Sequence, residues 1–232
     1  MITVDPIHPL VAGSEALYSL EHYRLVRRRL APGGIAAQWL PLYQMGAEDA
    51  RTIVRTFFEV FTDTQIWLNG QDAILVGGAG ETLRPAAELR AELARPEIAA
   101  SLARVGLLTL GTFLSGYAVG PLDVATYVEG ARASRDDRPV LEFSLPWQAD
   151  EDTVDRNLLE ISRFGRHPPA IDLDGLSAGE RRQIEDANSA VALSQIGLAL
   201  RLVHHEDAMQ SLFEQALALD PDEVTARRVL GR

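Results

Sequence analysis

Three β-formers, Ile2-Thr3-Val4, are stopped by Asp5-Pro6, and a second proline follows at position 9. Proline has no N–H to give to a ladder, so a central strand cannot run through it. Residues 5–13 are therefore expected to form a loop at the carboxyl end of a strand. Ser14 and Glu15 then read as a helix start, with helix over 15–30. Tyr18, Leu25, Val26 and Leu30 share a face, and Arg27, Arg28 and Arg29 stand in the last turn, where the macrodipole favours cations. Pro32-Gly33-Gly34 is a turn. A strand is expected at 35–40, ended by Pro41, and a helix at 47–61 with Ile53, Phe57, Val60 and Phe61 at helical spacing. Two short strands, 65–68 and 73–76, flank Asn69-Gly70, a hairpin signal. Strand, helix, strand, helix and hairpin in that order describe an α/β sheet that ends in an antiparallel pair.

Beyond residue 80 the pattern loosens. Residues 85–104 read as helix with a break at Pro96, and 106–134 carry no clear period. The run at 139–146, Pro-Val-Leu-Glu-Phe-Ser-Leu-Pro, has strand character. Residues 148–184 turn polar and read as a linker or covering segment, and 185–230 as Ala/Leu-rich helix. The expected organisation is an α/β domain over 1–147, the polar segment 148–184, and a helical tail over 185–232. In the tail, Gly197, Phe213, Ala216 and Pro221 stand at the spacing of the tetratricopeptide family, which it resembles in part. Met209 takes the place of that family's usual small residue. About three such repeats are needed to bury their own faces. The tail is therefore read either as a helical hairpin docked on the main domain or as the end of an array that binds a protein partner.

Composition removes several classes of chemistry. Cysteine is absent, which excludes disulfides, thiolate nucleophiles and thiolate metal sites. All 22 basic residues are arginine, so a lysine Schiff base and a phosphate loop ending in Gly-Lys-Ser/Thr are excluded too. With 33 acidic residues the net charge is −11, which repels phosphate, and no aromatics interleave with basic residues, so no nucleic-acid binding is expected. No apolar run reaches the ~20 residues of a membrane span. The first ten residues carry no basic region ahead of an apolar stretch, so they do not read as a signal peptide, and a cytoplasmic location is expected. The pair His204-His205 with Glu206-Asp207 lacks metalloprotease spacing and reads as a polar helix face or turn.

From spacing alone, Asp5 is either a turn residue or a carboxylate placed to accept a proton, since ligands of open α/β sheets bind beyond the carboxyl ends of strands. Three segments bear on that choice. They are Ile-Thr-Val-Asp-Pro-Ile-His-Pro at 2–9, Ala-Gly-Ser-Glu-Ala-Leu-Tyr-Ser-Leu-Glu-His-Tyr at 12–23, and Leu-Ala-Pro-Gly-Gly-Ile-Ala-Ala-Gln-Trp-Leu-Pro-Leu-Tyr at 30–43. Together they resemble the polyamine (spermidine/spermine) synthase family, in its bacterial branch joined to membrane segments, over roughly residues 1–78. In that match Asp5 takes the position of the family's first Asp, and Pro9 that of its proline. Leu17-Tyr18-Ser19 stands at Leu-Phe-Thr, Tyr23 at the helix aromatic and Gln38 at the strand-end Gln. Asp-Asp-Arg-Pro-Val-Leu-Glu-Phe at 136–143 resembles the end of the domain in that branch.

The resemblance implies the C-terminal part of a Rossmann-like, methyltransferase-type sheet. It also implies transfer of an aminopropyl group from decarboxylated S-adenosylmethionine to an amine. Asp5 would be the proton acceptor, and His8, Tyr18 and Gln38 would line the acceptor side. Three departures qualify it. His8 stands where the family has a second Asp to hold the cationic diamine, so it is either a retuned substrate contact or a loop-packing residue. Thr-Gln-Ile-Trp-Leu-Asn-Gly at 64–70 stands where a Pro-Tyr loop is expected. The Gly-rich, nucleotide-binding half is absent, and Gly77-Gly78-Ala79-Gly80 lacks the third motif glycine. The expectation is thus a domain that binds no adenosyl co-substrate alone, self-associates through an unpaired first strand, and needs the other half for turnover. The rival expectation is a non-catalytic fragment or interaction module.

Overall fold

The computed structural model describes residues 1–4, 7–69, 71–78, 85–105, 107–148, 152–165 and 171–231. The chain is mixed α/β, with a five-stranded open sheet of order β1-β2-β4-β3-β5 and a helical C-terminal region. It divides into two compact units, Met1–Thr82 with Val119–Gly165, and Leu83–Ala118 with Arg166–Arg232.

In the first unit β1 (Ile2–Val4) runs parallel to β2 (Ile35–Pro41), joined through α1 (Leu20–Arg29). The helix α2 (Ala47–Phe58) follows, and then the hairpin of β3 (Gln65–Asn69) and β4 (Asp72–Gly78). β4 is antiparallel to β3, as the hairpin signal led one to expect, and it is also antiparallel to β2 on its other side. The chain passes between the units within β5 (Tyr117–Val119) and continues through α6 (Pro121–Tyr127), α7 (Val140–Ser144) and α8 (Val154–Ser162). Alternation sorts the sheet's side chains: Ala36, Gln38, Leu40, Ala73, Leu75 and Ile66 are all buried on one face. Gly77 on that face lies under α2, where a Cβ would come within 2.5 Å of the Phe61 Cβ, so its lack of a side chain serves close helix–sheet packing. On the opposite face Trp39, Ile74 and Trp67 stand in register across three strands, and Ile74 is exposed.

Three expectations are corrected. Residues 15–30 are not one helix: a 3-10 turn, Ser14–Tyr18, is separated from α1 by Ser19 at φ −87°, ψ 157°. The extended Ser19 caps α1 by accepting from the His22 N–H and lets the Leu20 N–H reach the Ser134 carbonyl. Residues 140–144 are helical, not a strand: Leu141 and Leu145, four apart, are buried, while Phe143 between them is 71% exposed. A strand would have put all three on one face. The polar stretch after 148 contains α8, which buries Val154, Leu158 and Ile161 at 3–4 residue spacing. Its Asn157 Nδ2 donates to the carbonyls of Leu42 and Met45, at 2.8 and 2.7 Å.

The second unit holds α3 (Ala86–Leu93) and α4 (Pro96–Ala103), broken at Pro96 as expected. It continues with α5 (Leu110–Ser115), α9 (Ala178–Leu202), α10 (Glu206–Leu219) and α11 (Val224–Leu230). The tail helix begins earlier than residue 185, at a capping box in which Ser177 and Glu180 satisfy each other's backbone N–H. α9 and α10 form a hairpin, with Phe213 so close to Gly197 that a Cβ there would stand 2.9 Å from the ring. α5 crosses α9 at Gly111, where a Cβ would meet the Gln183 carbonyl oxygen at 2.7 Å.

Candidate functional site

The carboxyl ends of the parallel strands β1 and β2 point the same way, the geometry at which open α/β sheets bind ligands. Val4 is paired with Gln38, so the strand that leads into Asp5 ends beside Gln38. Asp5 itself and Pro6 lie outside the described residues. The loop beyond them is closely tied down. The Ser14 hydroxyl donates to the His8 carbonyl at 2.9 Å and to the Val11 carbonyl at 2.7 Å. The Tyr18 hydroxyl donates to the Ile7 carbonyl at 3.4 Å, and Tyr18 is fully buried.

His8 is fixed at both ring nitrogens. The Leu10 N–H donates to Nδ1 at 3.1 Å, so Nδ1 carries no proton. Nε2 lies 3.2 Å from the Tyr43 carbonyl oxygen, which only accepts, so Nε2 is the protonated nitrogen. The ring is therefore neutral, and burial pushes its pKa below the usual value, with the Tyr43 carbonyl pulling weakly the other way. Trp39 and Tyr43 pack around it, with ring centroids 6.3 and 5.1 Å from His8 and 6.4 Å from each other. The Trp39 indole N–H donates to Asp72 Oδ1 at 3.0 Å, so that carboxylate is engaged within the sheet.

Gln38 is fully buried. Its Nε2 donates to the Trp39 carbonyl at 2.9 Å, and its Oε1 has no hydrogen-bond partner among the described residues. A buried acceptor left alone costs on the order of 1–3 kcal/mol. Tyr23, on the inner face of α1, is fully buried edge-on against Phe57 at 5.1 Å, and its hydroxyl also lacks a partner among the described residues. Burial drives its phenol pKa far up.

Of the residues expected to line an acceptor side, His8 and Tyr18 belong to the loop beyond β1, whereas Gln38, beside Val4, faces the buried side of the sheet with Leu75, opposite to the face of Trp39 on which His8 packs. Tyr18 and His8 hold the loop there. Trp39 and Tyr43 complete the cluster; they lie within the segment Gln38-Trp39-Leu40-Pro41-Leu42-Tyr43, but only the fold brings them onto His8. Glycines elsewhere are explained locally: Gly33 has φ +69° in the turn before β2, and Gly77 serves packing. Among the described residues no group of three or more His, Asp or Glu could hold a metal ion. No helix among them is long and apolar enough to cross a membrane. Compared with known proteins, the chain matches no family model and no curated protein.

Proposed function

We propose that residues 1–147 are the C-terminal portion of a Rossmann-like, spermidine synthase-like aminopropyltransferase domain that acts with a nucleotide-binding half. The observation that carries this reading is the pairing of Val4 with Gln38. It brings the end of β1, the strand that leads into Asp5, beside the buried Gln38. In the reaction, the amine nitrogen of the acceptor attacks the aminopropyl carbon bound to the sulfonium of decarboxylated S-adenosylmethionine. The N–C bond forms as the C–S bond breaks, the thioether leaves, and Asp5 takes the proton from the amine. Gln38 stands beside the end of β1 on the acceptor side, and Tyr18 and His8 hold the loop. Gly33 serves a turn and Gly77 serves packing, and in this reading the adenosyl group is held by the other half.

The test joins this chain to a strand, Gly-rich loop and helix of that kind and follows thioether release from decarboxylated S-adenosylmethionine with a diamine. Asp5→Asn is expected to lower turnover by roughly 10²–10⁴ while sparing the fold. Unchanged turnover would make Asp5 a turn residue only. Calorimetry on the chain by itself is expected to show no micromolar affinity for S-adenosylmethionine or its decarboxylated form.

A second reading, an interaction module in the cytoplasm, rests on the α9–α10 hairpin closed by Phe213 on Gly197. Its protein partner would lie along the helical unit. Self-association would instead use the outer edge of β1, which stands at the end of the sheet order.

A further inference from the structure

We propose that His8 is a proton-operated latch on residues 7–14: as the Nε2–H tautomer, held in place by the Tyr43 carbonyl, it closes the turn at Leu10 through its Nδ1, and taking up a proton opens that turn. The latch does not depend on the reaction proposed above.

The geometry makes the two protonation states unequal. In the neutral ring, Nδ1 closes a local turn by accepting from the Leu10 N–H, two residues on, and Nε2–H reaches the Tyr43 carbonyl, 35 residues on. One side chain thereby joins a local turn to a tertiary contact. A protonated ring has N–H at both nitrogens, and its Nδ1–H would confront the Leu10 N–H, donor against donor. The local bond is then lost, and a cation stands half-buried among Trp39 and Tyr43. The polar groups that meet the ring are the Tyr43 carbonyl and the Leu10 N–H; the carboxylate of Asp72 on β4 is bonded to the indole of Trp39, which packs on the ring. Among the described residues the His8 shift comes from burial, opposed by the Tyr43 carbonyl. Asp5, three positions earlier, lies outside the described residues.

The sign follows from linkage. A histidine whose folded midpoint is depressed contributes stability that is complete above its unfolded value of about 6.5 and is lost as pH falls through 6.5 toward the folded midpoint. The same cycle couples loop closure to the proton: each unit of depression weakens closure roughly tenfold on protonation.

Two measurements on the full chain test the latch without any turnover assay. Long-range ¹H–¹⁵N spectra of labelled histidine are expected to show His8 as the Nε2–H tautomer, titrating below 6.5. Amide exchange over residues 7–14, corrected for intrinsic rates, is expected to accelerate below that midpoint. His8→Asn supplies an oxygen that accepts from the Leu10 N–H and cannot be protonated, so its loop is expected to stay protected with no step in this range. An Nδ1–H tautomer, a midpoint at or above 6.5, or the same acceleration in His8→Asn would overturn the proposal.

Discussion

The two units bury polar groups by opposite means. In the sheet unit the ties are long in sequence: Asn157 and Thr153 of the late segment bond the Leu42 and Met45 backbone, and the Glu142 N–H finds the Glu15 carboxylate 127 residues away. In the helical unit most ties are local. Ser177 and Glu180 cap α9 between themselves, and Glu223 caps α11 at the N–H groups of Thr225 and Ala226. Its longer ties are fewer: the Ser194 hydroxyl donates to Glu223, 29 residues on, the Ala86 N–H to the Asp172 carbonyl, and Arg90 to Glu180. The lesson is one of loop closure. A sheet needs distant segments before its polar groups are satisfied, whereas a helical hairpin satisfies its backbone first and then packs.

The molecule allows this contrast to be read separately, because all three tryptophans, Trp39, Trp67 and Trp147, belong to the sheet unit. Phe213→Ala is expected to have the largest effect, about 3–5 kcal/mol lost from the helical unit, because it empties the space against Gly197. Urea unfolding followed by far-ultraviolet dichroism should lose its helical transition early while tryptophan fluorescence holds. Simultaneous shifts of both signals would break the comparison.

Asn157→Leu should do the converse, with fluorescence leading. It leaves the buried carbonyls of Leu42 and Met45 without this donor, at roughly 2–4 kcal/mol. A loss confined to the dichroism signal would show that α8 does not secure the sheet unit.

Acidification from pH 7 to about 4.5, the ordinary carboxylate range, should move the units apart. In the helical unit burial raises the pKa of Glu223 and of Asp220. For such acids the stability is complete below the unfolded value and lost as pH rises through the folded one, so this unit gains as pH falls. In the sheet unit burial lowers His8 and His22, whose contribution is lost as pH falls below 6.5; buried Glu15, raised by desolvation, opposes them at the acid end. Parallel pH profiles of the two probes would refute this difference. Glu180, held down to about 2 by Ser177 and then by Arg90, stays ionised throughout the window.

The smallest effect belongs to Arg90→Ala. Its bridge to Glu180, at 3.1 Å, is largely exposed, and exposed pairs are worth about 0–1 kcal/mol. A loss well above that, measured by dichroism, would mean that Arg90 organises the α3–α9 contact beyond its charge.

Much of the candidate site was legible as residues and little of it as geometry. Gln38 and Tyr18 were placed near the strand end by sequence, yet the lone Oε1 of Gln38 follows from burial on a face defined by pairing with Val4 and Leu75. His8 stood open between ligand contact and packing. The Tyr43 carbonyl, far along the chain, decides its tautomer and commits both nitrogens to the loop.

What the sequence determined by itself is whatever short-range stereochemistry controls. The prolines that stop β1 and β2, the hairpin of β3 and β4, the break at Pro96 and the Gly197–Phe213 spacing are written in neighbouring residues. Tertiary structure alone decided that 140–144 coil into a helix, because Leu141 and Leu145 find cover while Phe143 does not. It also decided that residues 83–118 group with the tail rather than with the sheet, since α9 offers a backbone surface that Gly111 can approach. Burial is a property of the whole packed unit, and no window of sequence contains it.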